Sequence, residues 1–206
     1  IYFWRDVRGL AQGGFATIGI GKAPEQRKLF LWIVLGTIPA VAVGFLLKDM
    51  LEGFRSTHLV AVNLIVYGIL LGIADRFGKE ERSYENLTLR DAIIVGCAQA
   101  LALVPGTSRS GVTMTAARFL GFKRVEAARF SFLLSIPAVA GAGTLVALEL
   151  ADATAQMQMD ALITGALTFV AAFATMAFLM NFLRKATMMV FVIYRVALGV
   201  ALLALF

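Results

Sequence analysis

A short polar stretch, Pro-Gly-Thr-Ser-Arg-Ser-Gly at positions 105–111, is the part of this sequence best suited to chemistry. The guanidinium of Arg109 is a planar fork whose N–H groups match the oxygens of a phosphate group. The hydroxyls of Ser108 and Ser110 can cap a helix that starts here, and the unpaired N–H groups of such a helix favour an anion. The stretch therefore predicts a phosphate site. Its predicted contacts are Arg109, Ser108, Gly106, Thr107, Ser110 and Thr113.

A purely structural turn is the alternative, because Pro105 ends a helix and Gly106 permits a tight turn. That alternative leaves Arg109 unexplained, since an arginine deep in a membrane costs at least about 2.5–3.5 kcal/mol. Two further residues are candidates to line the same cavity. Gln99 is either a cavity group or a buried amide that ties two helices together. Arg195 is either a cavity group or a partner for free backbone carbonyls.

The elements that carry these residues are apolar enough to require a lipid environment. Hydrophobic residues make up 60% of the chain and its mean hydropathy is +0.83, whereas soluble domains are about 45–50% apolar. A spanning helix needs about 20 mostly apolar residues. The apolar runs predict spans at 29–47, 59–74, 130–148, 161–183 and 188–206, all within one membrane domain that covers residues 1–206.

Residues 92–120 are predicted to form a re-entrant helix–loop–helix, because the run 92–104 rises only about 20 Å through a core of about 30 Å. If this hairpin returns to its own side, 15 of the 19 Lys and Arg residues lie on one side, and only Lys48 and Arg55 lie on the other. A single crossing would divide them almost evenly. Because the basic side is cytoplasmic, the hairpin model is favoured, and the acidic loop 149–160 lies outside.

The same residues resemble a known family. The run Pro105-Gly106-Thr107-Ser108-Arg109-Ser110-Gly111-Val112-Thr113 resembles the signature of the undecaprenyl-diphosphate phosphatases of the bacitracin-resistance type. The resemblance extends over most of the chain. It includes Phe3-Trp4-Arg5, Gly36 with Pro39-Ala40, residues 130–134 with Pro137, and Ile193-Tyr194-Arg195.

The resemblance implies an enzyme that hydrolyses undecaprenyl diphosphate to undecaprenyl phosphate and phosphate, which recycles the carrier lipid for cell-wall synthesis. It implies half of an inverted repeat, with Arg109 and Ser108 as catalytic residues in the bacterial inner membrane and a site facing the periplasm. A divalent cation, Mg²⁺ or Ca²⁺, is expected, although this chain offers no ligand for it. The expected partners are the lipid substrate and the membrane, and no nucleic acid is expected. A homodimer is possible.

One departure from the family pattern is large. The family has an earlier motif, with paired Glu residues and a Ser-Ser-Thr-Gly-His run, that this sequence lacks. The sole histidine, His58, is predicted to lie in an outside loop and does not match that motif. Residues 1–4 resemble the end of a spanning helix, so we expect further spans before Ile1. A lipid flippase is the rival function, because it needs phosphate binding without hydrolysis.

Overall fold

The computed structural model describes residues 2–47, 50, 53 and 56–206, and every regular element in those ranges is helical. This confirms the predicted all-α fold. A single 3₁₀ turn lies at Tyr84–Asn86. The α-helices, numbered here along the described residues, are α1 (Trp4–Thr17), α2 (Pro24–Leu46), α3 (Thr57–Phe77), α4 (Leu89–Leu101), α5 (Arg109–Phe119), α6 (Arg124–Ala151), α7 (Ala155–Leu183) and α8 (Met189–Leu205).

Helices α2, α3, α6 and α7 are long and apolar enough to cross a membrane. Each overlaps one of the predicted spans, and the fifth predicted span overlaps the shorter helix α8, of 17 residues. Within the most apolar stretch of α7 no residue is buried, and large side chains such as Leu167 and Phe178 are exposed. An apolar surface of this extent is stable against lipid and not against water. The chain is a multi-pass membrane protein.

Several predicted boundaries differ from the structure. The acidic loop predicted at 149–160 shrinks to residues 152–154, because α6 continues to Ala151 and α7 begins at Ala155. Polar residues such as Glu149 and Asp160 are accommodated in helical ends that project beyond the apolar stretches. His58 lies in the first turn of α3 and not in a loop. Lys48, Arg55 and Ile1 lie outside the described residues.

The start of the chain was also predicted differently. Tyr2 and Phe3 form a turn and α1 begins at Trp4, where the sequence predicted the end of a span. Tyr2 and Phe3 pack against the buried cluster that includes Met180 and Met188. These aromatic side chains therefore contribute to tertiary packing between helices.

Helices α4 and α5 form a hairpin packed between two groups of helices. On one side, α4 crosses α2 so closely that a Cβ added to Gly96 would lie 2.8 Å from the Cα of Gly36. Small residues are what permits this approach of two backbones in a membrane. On the other side, α5 packs on α3. Helix α8 runs antiparallel to α3, with Val192 beside Gly72 and Gly199 beside Ala61.

The open end of the hairpin is held by a buried arginine. Arg118, in the last turn of α5, is fully buried. Its guanidinium donates to the carbonyl of Phe122 at 2.6 Å and to the carbonyl of Asp75 at 3.0 Å. The carboxylates of Asp75 and Glu80 lie within 3.5 Å of it. The sequence analysis counted Arg118 among the 15 basic residues on the cytoplasmic side, and the structure adds that its side chain is buried.

A second arginine closes the same end. Arg82 binds both carboxylate oxygens of Asp91, at 2.9 and 2.6 Å, and also donates to the carbonyl of Leu120 at 3.0 Å. It thereby ties the start of α4 to the end of α5. Burial raises the pKa of the Asp91 carboxyl, but the hydrogen bonds from Arg82 and Thr88 outweigh that effect and hold the pKa below its ordinary value. The open end of the hairpin is a rigid, charge-paired platform for the tip.

Candidate active site

The tip of the hairpin is a tight turn that ends in a helix cap. Gly106 and Ser108 both have positive φ angles, 86° and 67°. The Ser108 hydroxyl accepts the N–H of Gly111 at 3.3 Å, which makes Ser108 the N-cap of α5. Asn63 on α3 donates to the carbonyl of Pro105 at 2.8 Å. The turn is therefore fixed from both sides, and the first N–H groups of α5 point away from the platform.

Arg195 reaches the tip from α8. Its Nη2 donates to the carbonyls of Gly106 and Thr107, at 2.8 Å each. The residue is only 8% exposed, and its Nε is buried without a hydrogen-bond partner among the described residues. Its Nη1 lies near Gly111, since a Cβ added there would be 3.4 Å away. Arg195 thus fits both sequence interpretations, because it binds free carbonyls and also lines the cavity described below.

Arg109 points to the other side of the hairpin. Its Nε and Nη2 donate to Oε1 of Gln99 at 3.0 and 2.9 Å, and its Nη2 also donates to the carbonyl of Leu134 at 3.0 Å. Pro137, in the next turn of α6, has no N–H and weakens that helix's own hydrogen bonding near Leu134. Gln99 is the buried amide that links α4 to the tip, and its Nε2 has no partner among the described residues.

The remaining predicted contacts divide into two groups. Ser108 and Ser110 lie at the cavity. Thr113 is 1% exposed, and its hydroxyl donates to the carbonyl of Arg109 at 2.8 Å and lies 2.6 Å from the hydroxyl of Ser131. Thr107 is fully buried, with a hydroxyl that has no partner among the described residues. The predicted phosphate-binding role of each residue stays a prediction.

A cavity of about 270 Å³ adjoins the tip, between the hairpin, α3, α7 and α8. Its polar end is formed by Ser108, Ser110, Gly111 and Arg195. The rest of its wall is mainly apolar and includes Leu71, Met114, Leu179, Leu183, Met188, Phe191 and Tyr194. No Asp, Glu or His lines it, and no metal-binding group of three such residues or Cys is found in the described part of the chain.

The position of the tip follows from its contacts along α3. Asn63, in the second turn of α3, binds the tip, and Asp75, near the end of α3, binds the platform. Twelve residues of helix separate them, or about 18 Å. Gly106 also approaches the backbone of Val60, in the first turn of α3, so the tip lies within about one turn of His58, which is exposed at that end.

The electrostatics of the tip favour an anion. A helix N-terminus carries unpaired N–H groups and a partial positive charge. The guanidinium of Arg195 lies beside it in a site where little water screens the charge. The tip can therefore stabilise negative charge on phosphoryl oxygens.

Two polar side chains at the hairpin were missed by the sequence analysis. Asn63 is a lone amide within an apolar run, and intramembrane polar residues of that kind are a recognised signal of function or packing. Ser131 faces Thr113 from α6. A hydroxyl in a membrane helix usually satisfies its own backbone, so the sequence carried no signal for this contact.

Comparisons with known proteins agree on one family. A family model described as bacitracin resistance protein BacA matches residues 1–201. A protein of Erythrobacter litoralis named undecaprenyl-diphosphatase is 59% identical over 229 residues, which cover 100% of this chain and 80% of the relative. Proteins of the same name from Hahella chejuensis and Alteromonas mediterranea are 47% and 45% identical, each over 98% of this chain and 77% of the relative.

Proposed function

This chain belongs to the BacA family of bacitracin resistance proteins, and we propose that the tip of its hairpin binds the diphosphate of the lipid substrate. The protein is an undecaprenyl-diphosphate phosphatase, which hydrolyses undecaprenyl diphosphate to undecaprenyl phosphate and phosphate. The reaction returns the carrier lipid to cell-wall synthesis. The comparisons establish the family and the reaction. We propose which residues bind the diphosphate and on which side of the membrane they lie.

One observation carries the proposal: the arginines at the tip and at the platform have different partners. At the platform, Arg82, Arg118 and Arg124 are each paired with a carboxylate. At the tip, Arg109 and Arg195 hydrogen-bond only to neutral oxygens within the described residues. A charge removed from water without a counter-charge is unfavourable. An anion arriving at the tip would supply the missing counter-charge.

We assign the two arginines separate contacts with the diphosphate. Arg195, with Ser108 and the first N–H groups of α5, forms a cradle for one phosphoryl group. Arg109 is held by Gln99 and Leu134 through Nε and Nη2, which leaves its Nη1 without a hydrogen bond among the described residues. Because Arg109 does not line the cavity, its contact with the other phosphoryl group requires the guanidinium to turn towards the cradle when the lipid binds. Both contacts strengthen as negative charge grows on the phosphoryl oxygens in the transition state.

The cavity supplies charge stabilisation and no visible proton-transfer group. Its polar end has hydroxyls, N–H groups and the Arg195 guanidinium but no carboxylate, and the positive charge there would repel a cation. These residues do not fit Mg²⁺ or Ca²⁺, so no step is assigned to a metal here. The family's earlier motif, with its carboxylates and histidine, is the proposed source of the acid–base groups and of any metal ligands.

We also propose the orientation of the protein. The hairpin enters and leaves on the platform side, with its tip beside Val60 and Asn63 in the first two turns of α3. Its platform carries Arg82, Arg118 and Arg124, and a basic end is typical of the cytoplasmic side of the inner membrane. The tip then opens towards the periplasm.

The assignment is tested by conservative replacement of both tip arginines. Arg195→Lys and Arg109→Lys keep the charge and lose the fork. We expect each to lower kcat/KM for phosphate release from undecaprenyl diphosphate by about 10²–10³-fold, the typical effect of losing one transition-state donor. Arg90→Lys, at an exposed position on α4, is the matched control and should retain activity.

Separate measurements test the folding of the variants, the role of Arg195 and the reaction itself. Normal membrane insertion and thermal stability of each variant exclude misfolding as the cause. Activity within a few-fold of wild type in Arg195→Lys would refute the cradle assigned to Arg195. Transport of the lipid without phosphate release by the wild-type protein would favour the flippase instead.

A further inference from the structure

Helix α1 has a surface unlike that of the other described helices. Its 14 residues rise about 21 Å, which is too short to cross a hydrocarbon core of about 30 Å. Apolar and polar residues are separated around it more strongly than around any other described helix. One face packs against α2, where Leu10 and Ile33 share a buried cluster and Gly13 meets the backbone of Gln26. Most of the rest of its surface is exposed.

Two exposed stripes run side by side along α1. The apolar stripe recurs every three or four residues, the spacing that places side chains on one face of a helix, and consists of Trp4, Val7, Ala11, Phe15 and, at the C-cap, Ile18. The neighbouring polar stripe has the same spacing and consists of Arg5, Arg8 and Gln12. A helix that crossed a membrane would change from polar to apolar along its length, whereas α1 changes around its circumference. This is the pattern of a helix that lies in the membrane interface.

The basic residues of this region are not neutralised by carboxylates. Lys22, in the elbow between α1 and α2, and Arg27, in the first turn of α2, are exposed, as are Arg5 and Arg8. Among the described residues, none of these four lies within ion-pair distance of a carboxylate. The arginines of the platform are paired, so they differ in this respect. The four residues, called the basic surface below, keep their charge for an external anion.

A cavity of about 490 Å³ at the elbow joins the polar and the apolar stripe. Its polar lining includes the ammonium of Lys22 and the side-chain amides of Gln12 and Gln26, and its apolar lining includes Phe15 and Ile20. The ammonium and amide groups are donors suited to phosphate and glycerol oxygens. The two apolar side chains are exposed beside them. A phospholipid presents a polar headgroup and the start of its acyl chains next to each other in the same way.

The basic surface lies at the platform end of the molecule. Asp6 on α1 is paired with Arg129 in the second turn of α6, close to the start of that helix at the platform. Glu25 and Gln26 on α2 line a cavity together with Tyr84, which follows Arg82 of the platform. The headgroups at this end belong to one leaflet of the membrane. The tip of the hairpin lies at the opposite end, so a lipid bound here is not the substrate at the tip.

We propose that α1 lies in the interface of the leaflet at the platform end, and that the basic surface binds the headgroups of anionic phospholipids. Charge complementarity selects the partner, because exposed cations beside an apolar stripe match an anionic bilayer surface. Each basic residue near such a surface strengthens binding by about five-fold. This lipid site is independent of the diphosphate site proposed above.

The test uses Trp4 as a fluorescent reporter. The chain has only two tryptophans, Trp4 and Trp32, so Trp32→Phe leaves the one on the apolar stripe. This protein is reconstituted in phosphatidylcholine vesicles that contain a minor fraction of either brominated phosphatidylglycerol, which is anionic, or brominated phosphatidylcholine. Bromine quenches tryptophan fluorescence on contact. We expect both lipids to quench Trp4, and the anionic lipid to associate about five-fold more strongly or better.

Two double variants in this background locate the preference. Arg5→Gln with Arg8→Gln removes half of the basic surface and should lower the preference for the anionic lipid several-fold. Because the guanidinium of Arg8 lies 5.6 Å from the centre of the Trp4 ring, each variant is judged by its own ratio of the two lipids. Arg184→Gln with Lys185→Gln removes the same charge from an exposed pair at the α7–α8 connection. This control should keep the preference.

Several results would overturn the proposal. Absence of quenching by either lipid would show that the apolar stripe is covered by protein. Equal association of the two lipids would show that the basic surface selects no anion, and equal loss in both double variants would show an effect of total charge. Raising the salt concentration tests the same point without changing the basic surface, because salt screens exposed charges. The preference should then fall while quenching by phosphatidylcholine is unchanged, and a preference insensitive to salt would contradict the proposal.

Discussion

Replacing Gly106 by alanine tests whether the tip must lie where the structure places it. Gly106 has a φ of 86°, which costs an L-residue about 1–2 kcal/mol. A Cβ there would also lie 2.8 Å from the Cα of Val60, and closer still to the carbonyl oxygen of Val60. Carbon atoms normally pack about 3.5–4.0 Å apart. The turn and α3 would therefore have to separate by about 1 Å.

The matched control is Gly121→Ala. Gly121 has a φ of 88°, so the backbone cost is the same, but its Cβ would meet nothing closer than 3.6 Å. Gly121→Ala therefore shows the effect of backbone strain alone, without the displacement of the turn from α3. Overpacking typically adds about 1–3 kcal/mol, so Gly106→Ala should lose about 2–5 kcal/mol of stability and Gly121→Ala about 1–2 kcal/mol.

The two variants should differ more in activity than in stability. A displacement of about 1 Å at a reacting site can lower the rate about 10²-fold. We expect a loss of that order in kcat for Gly106→Ala and a loss within a few-fold for Gly121→Ala, measured as phosphate release by protein that remains monodisperse in detergent. If both variants hydrolyse the lipid equally well, the position of the tip against α3 does not control catalysis, and the site must lie elsewhere.

Single cysteines at Glu85 and Lys123 should both react with an impermeant maleimide from the same side of the membrane; labelling from opposite sides would exclude a re-entrant hairpin. Acidification should destabilise the protein below about pH 4. Because the pKa of Asp91 is lowered in the folded state, its pairing with Arg82 contributes stability above the ordinary carboxyl pKa of about 3.9, and this stability is lost as the pH falls. Asp91→Asn should flatten that acid limb in thermal unfolding. Asn63→Leu leaves the Pro105 carbonyl without its donor and should cost about 1–3 kcal/mol in thermal unfolding; an unchanged midpoint would show that this contact does not fix the tip.

The helices and the turn at the tip of the hairpin were readable from the sequence for simple physical reasons. Long apolar runs have few alternatives to a membrane helix, so the predicted spans match α2, α3, α6, α7 and α8 to within a residue at the ends of 29–47 and 188–206 and lie inside the other three helices. Pro105 and Gly106 mark a break whose turn chemistry is local. The cap formed by Ser108 likewise depends on residues three apart. Properties set within one or two turns of chain are those that a single sequence specifies best.

Contacts between distant residues were not readable in the same way. The count of basic residues assigned Arg118 to one side of the membrane, but it could not show that this residue is buried against Asp75, which lies 43 residues away. The sequence named Arg195 as a candidate for the cavity, but not its partner, the carbonyl of Gly106, which lies 89 residues earlier in the chain. Which arginine meets which partner depends on how α3, α5 and α8 pack. No local pattern records that packing.

The arginines at the two ends of the hairpin have different partners, which explains how one short hairpin can be rigid and still bind an anion. An arginine paired with a carboxylate has its charge largely neutralised, so Arg82 and Arg118 fix the platform and offer little to a ligand. An arginine held by carbonyl or amide oxygens is oriented but keeps its net charge, as Arg195 and Arg109 do. The hairpin thus separates structural from ligand-binding charge along its own length. A carboxylate introduced near the tip would convert the second kind of arginine into the first, and would compete directly with the diphosphate.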